Sequence, residues 1–160
     1  MVGGFAIFVS IFVIDLSIGA SQGTFYKLVG FSAGIDGVFA TLFGMIVHMV
    51  TASLIGTIFG FCSGFGKILE ISSMKKGALA GTVTGIVVFL VFFVPISVFI
   101  MMPLVQSDAS LGDSGLLLAN MNLVMIGSLE LHVVFGITMG TFFSIAIHNK
   151  LTKSVLQTVT

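Results

Sequence analysis

The chain has 160 residues, of which 57% are hydrophobic and only 8% charged, with a mean hydropathy of +1.24 and a net charge of zero at pH 7. A water-soluble domain carries about a quarter charged residues, so this composition implies an integral membrane protein with lipid as its first partner. All six basic residues are lysines and they form no basic patch, which excludes a nucleic-acid surface. The single Cys62 leaves no thiol pair for a disulfide, redox or zinc site within one chain.

The opening run "MVGGFAIFVSIFVIDLSIGAS" has an apolar stretch before small residues, as a cleaved signal does. It lacks a positively charged start and is interrupted by Asp15, so it is expected to remain as a first span over about residues 3–22. The following "SQGTFYKLVGFSAGID" reads as an outward connection. A second span is expected over about 37–61. Taking every fourth residue there gives Ala40, Gly44, His48, Ala52, Gly56, Gly60 and Gly64, a strip of small residues interrupted by one imidazole. Residues four apart share a helical face, and small ones let backbones approach closely.

The third run, 77–105, has no charged residue and begins with Gly77, Gly81 and Gly85 on one face. As a straight helix it would be about 43 Å long, so it must tilt, kink or project beyond the bilayer. Pro95 predicts a kink and Pro103 an end. After an outward connection carrying Asp108 and Asp113, a fourth span is expected over about 123–147. Its strip reads Ser128, His132, Gly136, Gly140 and Ser144.

Lys67, Lys75 and Lys76 lie between spans two and three, and Lys150 and Lys153 follow span four; the other connections hold only Lys27. The positive-inside rule then places both termini on the cytoplasmic side of a cell membrane. The expected architecture is all-α, a single transmembrane domain over 1–160 built as a four-helix bundle.

The halves resemble one another. In both "HMVTASLIGTIF" and "HVVFGITMGTFF" the histidine is followed two positions on by Val, eight by Gly, nine by Thr and eleven by Phe. Upstream, "FVIDLSI" matches "FFVPISV" at Phe12/Phe92 and Ser17/Ser97. Two parallel-repeated hairpins are expected, about 3–66 and 77–150, with Asp15 and Pro95 at equivalent positions.

Four polar groups fall within the spans: Asp15, His48, Glu130 and His132. The histidines are expected near mid-membrane, facing neighbouring helices across packing positions Gly44, Ala52, Gly56, Gly60, Gly136 and Gly140. Glu130 lies two residues from His132, about 200° around the helix, and should point elsewhere. Two imidazoles make His48 and His132 candidate metal or haem ligands, but helical pairs such as HxxxH or ExxH are missing, so no cofactor is expected.

"KKGALAG", the late proline of span three and the acidic residue before histidine in "SLELHVVFG" resemble the YagU-type family of small inner-membrane proteins. The chain departs from it in being shorter and lacking arginine and tryptophan. The resemblance implies a multi-span fold, and no catalytic residue.

The expected function is that of a non-catalytic accessory subunit packed among other integral membrane proteins, as in a respiratory or monooxygenase complex. One alternative is a small homo-oligomeric channel or transporter using the Asp15, His48, Glu130 and His132 set. A metal- or haem-binding subunit is a further alternative.

Overall fold

The computed structural model describes residues 2–17, 19–65, 70–103 and 121–159, and every element among them is helical. Helix α1 is Val2–Ser17, α2 is Thr24–Ser32, α3 is Gly37–Cys62, α4 is Met74–Met101 and α5 is Met121–Val159. Three stretches are long and apolar enough to cross a membrane: Gly37–Cys62, Met74–Met101 and Val124–Asn149. A shorter apolar helix covers Gly3–Leu16. Large apolar side chains point outward, among them Val38, Phe39, Phe99 and Ile126, each more than two-thirds exposed. That distribution suits hydrocarbon rather than water as the surrounding solvent, and supports a multi-pass membrane protein.

The tightest contact joins α4 and α5, which run antiparallel. A Cβ on Gly81 would overlap the carbonyl of Gly136, one on Gly77 or Gly140 would overlap the other's carbonyl, and one on Gly85 would overlap that of His132. These helices therefore touch backbone to backbone along a row of four-residue steps, the association geometry that works without a hydrophobic driving force. Helix α3 leans on α5 less closely, through Met139 against Gly56 and Phe143 against Gly60.

Helix α1 is shorter than expected. Its 16 residues rise about 24 Å, and it stops at Ser17 instead of running to about residue 22. The Ala20 N–H donates to the Asp15 carbonyl and the Gly19 N–H to that of Leu16, with Gly19 at φ +70°. This is a Schellman termination, which needs a left-handed residue that glycine supplies without strain.

The chain then turns back into α2, so the presumed outward connection is largely folded into the bundle. Thr24, Tyr26, Leu28 and Gly30 are buried. The physical reason lies in α3: its Ala40 and Gly44 accept the α2 backbone, with Gly30 against Ala40 and the Tyr26 carbonyl against Gly44. A second Schellman turn at Gly34 ends α2. The upper part of the small-residue strip on α3 thus receives α2, not α1.

Pro95 perturbs α4 without breaking it. The helix widens into π segments at Phe89–Phe93 and Ser97–Met101 on either side of a turn at Val94–Ile96. Proline has no N–H to donate and crowds the preceding turn, and π turns relieve both. Asp15, expected to be the equivalent of Pro95, instead stands just before the end of α1. Pro103 is still helical. Lys67, Asp108 and Asp113 lie outside the described residues.

Substituting Gly81→Val should separate α4 from α5 and lower the midpoint of an SDS unfolding titration, at a cost of about 1–3 kcal/mol or more. Gly127→Ala is the control, since nothing lies within 4 Å of a Cβ there. It should leave stability unchanged or raise it by up to about 1 kcal/mol.

Candidate functional site: a cavity between two histidines

His48 stands in the middle of α3, about 16 Å from its start. His132 is at a similar height on α5, about 12 Å from Val124. Both are half-buried, and both line one cavity of about 190 Å³ to which all five helices contribute. They also share a smaller space of about 60 Å³ with Thr51 and Ala52. The two imidazoles thus face the protein interior at a common site.

The cavity forms where the close α4–α5 contact ends. After Gly85 the α4 side chains become Val88, Phe89, Phe92 and Phe93, and α4 departs from regular α geometry over Phe89–Phe93. The His132 ring packs 5.6 Å from both Phe89 and Phe93. On the opposite wall the His48 ring meets Tyr26 edge-on, also at 5.6 Å, and lies against the backbone of Gly4. Tyr26 is further surrounded by Phe8 and Phe12. The rest of the lining is mostly aliphatic, and among the described residues it holds no Asp, Glu or Lys.

Several polar atoms here are unpartnered. The Tyr26 hydroxyl, His48 Nε2 and Ser128 Oγ are buried without a hydrogen bond. His132 Nδ1 lies 2.7 Å from the Ser128 carbonyl oxygen. A carbonyl only accepts, so Nδ1 is the donor, and in the neutral ring Nε2 carries a lone pair. An unmade hydrogen bond on a buried group costs about 1–3 kcal/mol, so this concentration marks the site out from the surrounding bundle.

Neither carboxylate joins it. Asp15 is fully buried, and its Oδ2 accepts from the backbone N–H groups of Gly23 at 2.7 Å and Thr24 at 3.1 Å. It caps α2 from a different helix, in place of the absent side chain at Gly23. Glu130 is exposed on the outward face of α5 beside Ile126, Leu129 and Ile137, opposite the buried Leu131 and Phe135. The set of four intramembrane polar residues therefore divides into a histidine pair, a structural cap and an outward carboxylate. Among the described residues no three His, Cys, Asp or Glu side chains converge as a metal site.

Of the small residues, Gly136 and Gly140 form the α4 contact, Gly44 receives α2, and Ala52 meets Gly4 of α1. Gly56 and Gly60 face the side chains of α5. Tyr26 is the site residue that sequence reasoning missed. It sits in a segment of nine helical residues, too short to register as a span. Its one signal is its place four residues before Gly30, within a glycine-bounded "GTFYKLVG".

Asp15→Ala should free α2, costing about 0.5–2 kcal/mol for the lost cap and raising amide hydrogen exchange from Gly23 through Tyr26. Asp15→Asn keeps one acceptor oxygen and should retain most of that protection. No family model, curated protein or solved structure matches this chain.

Proposed function

We propose that the chain is a non-catalytic, multi-pass subunit that packs within a larger membrane assembly. The observation that carries this reading is Glu130, an exposed carboxylate surrounded by outward-facing Ile126, Leu129 and Ile137 on a span. An ionised side chain at the centre of a membrane helix costs roughly 2.5–3.5 kcal/mol on insertion scales. A neighbouring subunit that supplies a hydrogen-bond donor removes that cost, whereas acyl chains do not.

In this reading α1 completes a four-helix arrangement of two parallel hairpins, with both termini cytoplasmic. Support for the pairing rests on the matched sequence around the two histidines and their shared cavity. A glycine backbone also lies beside each histidine, Gly4 at His48 and Gly85 at His132. A channel or transporter, the second reading, draws on the shared cavity but loses both carboxylates from its proposed pathway. A metal or haem site would have to rest on the two imidazoles.

After mild solubilisation the native chain should co-migrate with other membrane proteins on a native gel, and Glu130→Leu should release it. Recovery of the native chain alone, or a complex indifferent to that change, contradicts the proposal. Cys62 is exposed at the end of α3 nearest the lysine-bearing connection. A membrane-impermeant maleimide should label it in inside-out vesicles and spare it in right-side-out ones; the reverse pattern would invert the orientation.

A further inference from the structure

We propose that the cavity between His48 and His132 binds the head group of a membrane-soluble quinone or quinol. This inference does not depend on the subunit role above.

The wall decides the class of ligand. It is chiefly apolar and, among the described residues, contributes no Asp, Glu or Lys. An ion entering it would lose hydration and meet no opposite charge among the lining side chains, which is costly in such surroundings. The occupant is therefore neutral and mostly hydrophobic.

The wall also offers hydrogen bonding from two sides. Tyr26 and His48 stand on α2 and α3; Ser128 and His132 stand on α5. The Tyr26 hydroxyl and Ser128 Oγ can donate or accept, and both residues are about 1% exposed with those oxygens unpartnered. The His132 tautomer presents a lone pair at Nε2. A ring with oxygens on opposite edges can engage both walls at once. In the quinone form the oxygens accept from the hydroxyls; in the quinol form they can donate to the imidazole nitrogens. An aliphatic alcohol has one polar end and reaches only one wall.

Shape and access agree. Phe93, backed by Phe89 with their centroids 5.6 Å apart, and the Tyr26 ring provide aromatic surfaces for a flat head. The lining residues Phe92 and Ile96 are also exposed outside the bundle, at 57% and 39%. The cavity thus reaches the lipid-facing surface beside the π segment of α4, where an isoprenoid or alkyl tail can remain in the bilayer. π segments inside helices recur at functional sites for the same reason: they displace side chains from the regular wall.

Tyr26 makes the test direct, because the chain has one tyrosine and no tryptophan. Purified full-length protein in detergent is titrated with decyl-benzoquinone while tyrosine fluorescence is followed. We expect saturable quenching at one quinone per chain, displaced by the corresponding quinol but not by decanol or decane. His132→Leu should weaken binding at least tenfold, and Glu130→Gln should not change it. Where His132→Leu does not fold, Ser128→Ala is measured instead and should weaken binding several-fold. Quenching that rises without saturation, as for a free tyrosine derivative in the same micelles, overturns the proposal. Equal displacement by decanol or decane also overturns it, showing a general apolar cavity. Unchanged affinity in folded His132→Leu, or in Ser128→Ala where that variant stands in, does the same.

Discussion

The contact between the α4 and α5 backbones governs how the bundle is put together. In lipid, apolar side chains gain little by leaving the solvent, so helix pairs are held by close packing and by polar contacts. Gly77, Gly81 and Gly85 on one side and Gly136 and Gly140 on the other let the two backbones meet, with the small Ser144 side chain beside Gly77. The registry this sets is unforgiving, since a Cβ at any of these positions overlaps a carbonyl or a neighbouring backbone. Just beyond it, glycine gives way to Val88 and Phe89, and the two backbones can no longer touch, leaving ring contacts from Phe89 and Phe93 to His132. The cavity is the geometric consequence of that change in side-chain volume, and His132 stands at the boundary.

The other wall depends on a different device. Helix α1 ends at a left-handed glycine and donates one carboxyl group to the start of α2. Asp15 thus acts as a structural tie that holds a short helix against the Ala40 and Gly44 surface of α3. Tyr26 reaches His48 because of this arrangement. A residue that composition alone marks as a costly intramembrane charge turns out to satisfy two backbone donors that would otherwise be stranded. The coupling runs from Asp15 through α2 to the cavity, with no direct contact between Asp15 and the histidine pair in the wall.

Much of this was legible in the residues. The four-residue rows of Gly, Ala and Ser contain the glycines at which α4 and α5 meet backbone to backbone, and an imidazole within such a row faces a neighbouring helix. The 200° separation placed Glu130 on the opposite side from His132, where it is found exposed. What periodicity could not reveal was α2, because nine residues containing Lys27 are too few and too polar to stand out from a connection. Lys27 itself is accommodated over the Phe31 ring at 5.2 Å. The early end of α1 was missed for a related reason: apolar residues and glycine continue past Ser17, and only the hydrogen bonding at Gly19 and Ala20 reveals the turn. Pro95 predicts a disturbance, yet whether a helix kinks or widens depends on packing that a single sequence does not specify.

The cavity exists only if α4 and α5 make direct backbone contact in a bilayer. Solid-state NMR on glycine-labelled protein in lipid measures it without altering the chain. Cross-peaks linking Gly81 with Gly136 and Gly77 with Gly140 are the expected result. Their absence, with Gly81 instead showing contacts to acyl chains, would contradict the packing from which the cavity arises.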